Sequence, residues 1–214
     1  MSTKTASASI PSNTAFEVAS RYLPTYQFSE RHAIASIRAP AAVILEAMKN
    51  YDDRQDKILD ALLTVREWPS RAAAALGRKN ALHARARFGL NDFFLLEEND
   101  REIAFGLIGR FWKPDYGLLP ISSAADFQAY QQPGVAKLVM SFSVAPNGAD
   151  NWSLTTETRI GCPDTKSRLS FLPYWVLIRL ASGWIRNRML SQVKRTAELA
   201  HYQRSGQDSK HGTA

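Results

Sequence analysis

Two arginines near the end of the chain have the spacing of an anion-binding pair. Arg179 and Arg186 are seven residues apart, which places both on one side of an α-helix, at the edge of its apolar stripe. A guanidinium in that position can hold a carboxylate or phosphate through two parallel hydrogen bonds. Alternatively, each side chain reaches solvent or pairs with a carboxylate such as Glu157. If a ligand exists, this pair is the predicted anchor for its acidic end.

Three further residues could transfer protons, namely Glu157, Arg110 and His32. If they face the interior, they could orient a substrate or act in acid–base catalysis. Alternation along the strand places Glu157 and Arg159 opposite its apolar residues, which favours solvent-facing ion pairs of little energetic value. His32 stands in a strand among mixed neighbours, where an isolated histidine has little specificity for catalysis.

The sequence lacks the motifs that define several common enzyme classes. It contains no P-loop, no dinucleotide-binding glycine fingerprint, no Gly-x-Ser-x-Gly elbow and no His-Glu-x-x-His motif. Cys162 is the only cysteine, which excludes an intrachain disulfide and a multi-cysteine metal site. The sequence therefore implies no metal and no organic cofactor.

Positive charge is concentrated in one segment. The chain of 214 residues has a formal net charge of +7. Residues 164–204 hold eight Lys and Arg residues against two acidic ones, so they account for nearly all of that charge. Such a segment could contact nucleic acid, an anionic membrane or an acidic ligand, although a solvated helix face explains it more simply. The aromatic residues are not interleaved with the basic ones, which argues against nucleic acid.

No segment is suited to export or to crossing a membrane. Met1–Asn13 is rich in Ser and Thr and lacks an apolar core. The most apolar stretch, Phe171–Ile178, ends at Arg179 and is too short to span a bilayer. We therefore expect a soluble, cytoplasmic protein.

Helical periodicity organises the C-terminal part of the chain. Residues 164–204 predict a long amphipathic helix with one apolar stripe at about 100° per residue. Pro173 and Ser182-Gly183 should kink or interrupt this helix. The stripe consists of Ile178, Ile185, Met189, Val193 and Ala200.

Most of the strand-like sequence comes before this helix. We expect an α+β fold in which an antiparallel sheet buries one face under the final helix. Residues 15–204 would form one domain, between a disordered lead-in at 1–14 and a disordered tail at 205–214. The composition of Arg71–Arg87 is compatible with a short helix or a loop. The predicted strands are Phe28–Arg38, Phe93–Glu97, Glu102–Trp112, Val135–Ala145 and Trp152–Ile160.

This order of elements resembles the helix-grip fold of the START-related superfamily, which includes the birch-pollen allergen and the polyketide cyclase/dehydrase proteins. The resemblance covers Tyr26–His201 and rests on Ile34–Val43 and Thr155–Ile160, which are similar to an opening and a late strand in that superfamily. Gly109-Arg110-Phe111-Trp112 and Tyr174-Trp175 look like short sequence motifs of a bacterial subgroup of that superfamily. The resemblance implies a curved sheet of about six or seven strands around a long C-terminal helix, often with a cavity between them.

Three functions are compatible with that fold. The first is binding or transport of a hydrophobic small molecule or lipid, with or without an acidic head, in a cavity between sheet and helix. The second is a cyclase- or hydratase-like enzyme that uses the same cavity. The third is a protein-interaction module or homodimer formed through Phe171–Trp184. If the apolar residues do not simply fill a solid core, the cavity would be lined by Phe105, Leu107, Met140, Phe142, Leu154, Ile178, Ile185 and Met189.

Overall fold

The computed structural model describes residues 16–51, 92–113 and 115–211. The predictions for residues 1–14 and Arg71–Arg87 therefore lie outside the described residues. The described strands are β1 Phe28–Ile37, β2 Phe94–Glu98, β3 Glu102–Gly109, β4 Ala136–Pro146 and β5 Trp152–Gly161. The described helices are α1 Glu17–Tyr22, α2 Ala41–Lys49, α3 Ala124–Ala129 and α4 Thr165–His211.

The five strands form one antiparallel sheet in the order β1-β5-β4-β3-β2. The predicted α+β class, the antiparallel sheet and the long C-terminal helix are confirmed. The described residues supply five strands, however, where six or seven were expected. The first strand pairs with the last, with Phe28 opposite Ile160 and Ile34 opposite Leu154.

Tight turns connect neighbouring strands. Between β2 and β3, the side-chain oxygen of Asn99 accepts the backbone N–H groups of Arg101 and Glu102 at 2.9 and 2.8 Å, which stabilises a turn locally. Between β4 and β5, Gly148 has a φ of 96°, a left-handed conformation that glycine adopts without steric cost. These turns fix the pairing of β2 with β3 and of β4 with β5.

Helices α4 and α2 cover one face of the sheet, which we call the inner face. The second half of α4 and α2 share one apolar cluster with strands β3, β4 and β5. The first half of α4 packs on a second cluster, which surrounds Phe28, Ile160 and Phe171. The largest side chains of the first cluster that are fully buried are Ile37, Ile44, Met48, Ile103, Met140, Phe142 and Leu154.

Helices α1 and α3 cover the opposite face, which we call the outer face. The Glu102 carboxylate accepts the backbone N–H groups of Val18 and Ala19 at 3.1 and 3.2 Å, which satisfies two donors at the start of α1. Burial raises the pKa of Glu102, and these two hydrogen bonds act in the opposite direction. The Lys137 ammonium donates to the carbonyl of Gln128 in α3 at 3.1 Å. Both faces of the central strands are therefore covered.

The polar residues of β5 on the outer face are buried, so the prediction of solvent-facing ion pairs was wrong. Glu157 is only 3% exposed and Arg159 only 7%. The Glu157 carboxylate lies 2.9 Å from Arg159 and 3.1 Å from Arg31 of β1. Arg159 also donates to the Ser20 hydroxyl of α1 at 2.9 Å. Strand alternation identified which residues share a face, but it could not show that a helix covers that face.

Helix α4 is continuous over 47 residues. The predicted interruption at Pro173 or Ser182-Gly183 is therefore absent. Proline removes one backbone hydrogen bond, but Phe171 and Trp175 on either side of it are buried against the sheet and hold this turn in place. The helix also runs past Arg204 to His211, into a segment for which we expected disorder.

A bulge interrupts β1 near its C-terminal end. The register with β5 shifts between Ile34 and Ile37, and Ser36 has a left-handed φ of 57°. The Lys194 ammonium of α4 donates to the backbone carbonyls of Ala35 and Ser36 at 3.2 and 2.8 Å. The bulge is thus held by a side chain of the helix that crosses it.

Asp164 caps the start of α4. Its carboxylate accepts the Ser167 N–H at 2.9 Å, the Ser167 hydroxyl at 2.6 Å and the Gly134 N–H at 2.8 Å. These hydrogen bonds, that of the Ser167 hydroxyl first, lower the pKa of Asp164 to about 2. The cap therefore also ties the helix to the loop before β4.

Replacing Asp164 with alanine should lower the melting temperature, because helix and loop lose these hydrogen bonds. A carboxyl group whose pKa is lower in the folded state contributes stability above its unfolded pKa, and that contribution is lost as the pH falls through the folded pKa. The difference from wild type should therefore be constant above about pH 5 and shrink toward about pH 2. Thermal denaturation followed by circular dichroism measures it. Asp150→Ala, in the exposed β4–β5 turn, is the control, and an equal effect there would contradict the assignment.

Candidate functional site

Arg186 projects from the middle of α4 onto the inner face of the sheet. Its Nη1 group lies 2.7 Å from the Met140 sulfur, and its Nη2 group donates to the Thr158 hydroxyl at 3.1 Å. Burial lowers the pKa of Arg186 to about 10, while Glu30 and Tyr51 act in the opposite direction. Among the described residues, no carboxylate lies within 4.0 Å of the guanidinium.

The strand register explains why these partners meet. Glu30, Thr158, Met140 and Phe105 lie opposite one another across β1, β5, β4 and β3, and we call this set the arginine row. The row is polar on β1 and β5 and apolar on β4 and β3. Arg186 therefore contacts the arginine row at the boundary between the polar half of the row, on β1 and β5, and the apolar half, on β4 and β3.

The adjacent row has the same division. His32, Thr156, Phe142 and Ile103 lie opposite one another across the same four strands, and we call this set the histidine row. Residues two apart on a strand are separated by about 7 Å, so the two rows are near neighbours. The Thr156 hydroxyl is buried and has no hydrogen-bond partner within the described part of the chain. A buried hydroxyl of this kind has unused hydrogen-bonding capacity.

His32 and Glu30 form a pair on β1. The His32 Nε2 atom lies 2.8 Å from a Glu30 carboxylate oxygen, and the two side chains keep 19% and 11% of their surface exposed. The site is therefore accessible from solvent at this edge of the sheet. Pairing with a carboxylate orients an imidazole ring.

Gly183 gives the imidazole room under the helix. A Cβ atom at this position would lie 3.4 Å from the His32 Cε1 atom, which is the limit of ordinary van der Waals contact. Glycine weakens a helix interior by about 1 kcal/mol relative to alanine. The distance shows how closely α4 passes over His32, and the helix continues through Gly183 without a break.

Apolar residues enclose the two polar half-rows. On one side lies a row of Phe28, Ile160, Leu138 and Leu107, and on the other a row of Ile34, Leu154 and Val144. Phe105 and Leu138 remain partly exposed. An apolar surface that solvent can reach thus lies beside Met140 and Arg186.

The structure distributes the predicted lining residues between the two inner clusters. Phe105, Met140, Phe142, Leu154 and Met189 belong to the cluster under the second half of α4. Leu107 and Ile178 belong to the cluster under its first half, and Ile185 is partly buried. The predicted set therefore lies on the inner face, on both sides of Arg186.

The structure separates the predicted arginine pair and the predicted catalytic residues. Arg179 is exposed, so only Arg186 lies at the site. Glu157 belongs to the buried cluster on the outer face. Arg110 is exposed and donates to the Gly134 carbonyl at 3.1 Å. Of the three proton-transfer candidates, only His32 lies near Arg186.

Three residues of the site were not singled out in the sequence, namely Glu30, Thr156 and Thr158. The i, i+2 spacing of Glu30 and His32 was a usable signal, because alternate residues of a strand share one face. Thr156 and Thr158 gave no such signal in the sequence, because their role depends on the pairing of β5 with β1, which local sequence does not encode.

Two further properties bear on the chemistry. Cys162 is buried, and burial raises the pKa of its thiol to about 11, so it is a poor nucleophile at neutral pH. Among the described residues, no group of three or more His, Cys, Asp or Glu side chains is arranged to hold a metal ion. The side chains at the site have the chemistry for anion binding, in Arg186, and for proton transfer, in His32.

Compared with protein-family models and with curated proteins, the sequence matches none.

Replacing Arg186 with methionine should stabilise the unliganded protein. The replacement removes a desolvated cation without a described counterion and puts an apolar side chain of similar length beside Met140. We expect a gain of about 1 kcal/mol, or about 2–4 °C in melting temperature for a chain of this size. Arg195→Met, at an exposed position of the same helix, is the control. A lower melting temperature for Arg186→Met alone would mean that Arg186 is a structural residue.

Proposed function

We propose that the protein binds a small molecule with an apolar body and a negatively charged head between the sheet and α4. The supporting observation is the position of Arg186, whose partly buried guanidinium faces the sheet and lacks a carboxylate within 4.0 Å among the described residues. A desolvated cation is costly unless an anion compensates it. A ligand carboxylate, sulfonate or phosphate would supply that compensation.

The head of the ligand would bind where the arginine row is polar. Arg186 can form two parallel hydrogen bonds to a carboxylate or phosphate, while its present contact with the Met140 sulfur is a weak one. The Thr158 hydroxyl, already 3.1 Å from Nη2, provides a further donor. Exchanging the sulfur contact for a charged oxygen would therefore favour binding.

The body of the ligand would lie over the apolar half of the same row. Phe105 and Leu138 are partly exposed there, and Phe105 is the cross-strand neighbour of Met140. Apolar surface removed from water at these residues contributes about 25 cal/mol per Å². The ligand class is therefore an amphipathic acid, such as a fatty acid or an aromatic acid.

This proposal agrees with the resemblance to the START-related superfamily. An antiparallel sheet whose first strand pairs with its last, followed by a long C-terminal helix, is the arrangement that the helix-grip fold implies. We propose membership of that superfamily on these grounds. No cofactor and no metal ion is part of the proposal.

Two dyes of similar shape test the charge requirement. Anilinonaphthalene sulfonate carries a negative charge, and N-phenyl-1-naphthylamine does not. Fluorescence titration should show Arg186→Gln weakening the sulfonate dye about tenfold or more, as expected for a lost charge-assisted hydrogen bond. Affinity for the neutral dye should stay within twofold of wild type.

Two further variants make this result specific. Arg179→Gln distinguishes an anchor formed by Arg186 alone from the predicted pair of Arg179 and Arg186. If the pair were the anchor, both Arg179→Gln and Arg186→Gln would bind the sulfonate dye more weakly than wild type. Arg195→Gln is the matched exposed control on the same helix. If Arg186→Gln binds the sulfonate dye as wild type does, or if both dyes weaken equally, the proposed anchor is wrong.

A second candidate function is proton transfer to or from the bound molecule. The observation that favours it is the His32–Glu30 pair at 2.8 Å, one row away from Arg186. This function requires the body of the acid to extend from Arg186 toward β1, and not toward β3, so that one of its carbon or oxygen atoms lies near the imidazole. This geometry corresponds to the cyclase- or hydratase-like alternative, with His32 as the general base.

Hydrogen exchange into a bound ketone tests this candidate. 4-Acetylbenzoate has a carboxylate for Arg186 and a methyl ketone at about the row spacing. In D2O, NMR should show deuterium entering the methyl group, and His32→Gln should slow this enzyme-dependent exchange about 100-fold or more. Glu30→Gln should slow it less. Exchange at the wild-type rate in His32→Gln would exclude His32 as the base and leave the binding proposal intact.

A further inference from the structure

The first half of α4 exposes a row of large apolar side chains to solvent. Five of them are between 44% and 64% exposed, and they recur at the spacing of one helix face. We call this surface the exposed stripe, to distinguish it from the apolar stripe predicted to face the sheet. Its members are Leu169, Leu172, Val176, Leu177 and Trp184.

The stripe is separate from the part of α4 that packs on the sheet. Phe171 and Trp175, which point the other way, are 1% and 7% exposed and belong to the inner cluster. The helix is thus apolar on two opposite sides over this segment, and the sheet covers only one of them. A contiguous exposed apolar surface of this kind marks an interaction site.

All the charged residues that α4 itself contributes along the stripe are positive. From Thr165 to Ala197 the helix contains no Asp or Glu. Lys166, Arg168 and Arg179 are exposed beside the stripe, and the Arg188 guanidinium lies 5.8 Å from the centre of the Trp184 ring. Apolar residues bordered by cations, with a tryptophan between them, are typical of helices that lie in a membrane interface.

We propose that the exposed stripe docks onto the surface of an anionic lipid bilayer. Leu169, Leu172, Val176 and Leu177 enter the boundary between head groups and acyl chains, while the flanking cations contact lipid phosphates. Trp184 lies at head-group level, where its ring has one apolar side and one polar edge. Among the described helices none has a segment long and apolar enough to cross the bilayer, so α4 would lie along the surface.

The charge pattern favours a membrane over a second copy of the chain. In a dimer formed through the stripe, Lys166, Arg168 and Arg179 of one copy would face the same residues of the other. No acidic residue between Thr165 and Ala197 could compensate them, and juxtaposed like charges oppose association. Anionic lipid head groups supply the charge that this helix face lacks.

Vesicle co-sedimentation tests the proposal with the full chain. Vesicles of phosphatidylcholine alone are compared with vesicles of phosphatidylcholine and phosphatidylglycerol in a 3:1 ratio. Binding should be at least tenfold tighter on the anionic vesicles, and that preference should fall as NaCl rises from 50 to 500 mM.

Matched variants locate the contact. Leu172→Gln/Val176→Gln should lower the affinity for anionic vesicles at least tenfold, whereas Leu199→Gln/Tyr202→Gln, at exposed apolar positions further along α4, should change it less than twofold. Lys166→Gln/Arg168→Gln/Arg179→Gln should reduce the preference for anionic vesicles. Circular dichroism verifies that each variant folds, as expected for exposed positions.

Three results would overturn the proposal. The first is no binding to the anionic vesicles, and the second is equal loss in the Leu199→Gln/Tyr202→Gln variant. The third combines two observations: the wild type does not bind vesicles, and it forms a dimer in analytical ultracentrifugation that Leu172→Gln/Val176→Gln dissociates. This result would assign the stripe to self-association. None of these results involves Arg186, so the proposed ligand site is tested separately, by the dye titrations.

Discussion

The pairing of β1 with β5 is the constraint on which the rest of the structure depends. It joins residues that are 126 positions apart, such as Arg31 and Glu157, and it creates both polar half-rows on the inner face. The chain leaves β5 at Gly161 and must then turn back, so α4 crosses the newly paired strands and places Arg186 over Thr158. On the outer face the same pairing brings Arg31 to Glu157. The Arg186 contact with Thr158 and the Arg31–Glu157 pair therefore both depend on one strand pairing.

Local sequence patterns predicted the elements well, but they did not predict the site. Alternation located β4 and β5, and helical periodicity located α4, because each of these signals acts over a few residues. The neighbours of His32 depend on the register between β1 and β5, which is a long-range property. Helical spacing put Arg179 and Arg186 on similar sides of α4 but could not show that the sheet extends beneath only one of them. Glu102 shows the same limit on the outer face, since its partners are N–H groups of a distant helix.

The site differs from the rest of the inner face in how well its polar groups are satisfied. On the outer face, Glu102 and Lys137 have hydrogen-bond partners and Arg159 donates to Ser20. The Ser141 hydroxyl, one Glu157 carboxylate oxygen and the Arg159 Nε atom are nevertheless buried there without a hydrogen-bond partner among the described residues. On the inner face, Thr156 has a hydroxyl without a partner among the described residues, and Arg186 uses a thioether as acceptor. Local departures from good polar satisfaction in an otherwise consistent fold are typical of functional positions. Because unpaired buried atoms occur on both faces, the contact of Arg186 with a thioether, and not the number of such atoms, distinguishes the site.

The bulge in β1 has a consequence for how the chain behaves during its synthesis. β1 is an edge strand, and it has to wait for β5, the last strand to be made, before it is paired. During that interval its backbone N–H and C=O groups could pair with another nascent chain. The left-handed Ser36 breaks the regular edge at one end of β1, and Lys194 later occupies the carbonyls of Ala35 and Ser36. A distortion that looks like a defect in the finished sheet thus leaves less of the β1 edge regular enough to pair with another chain.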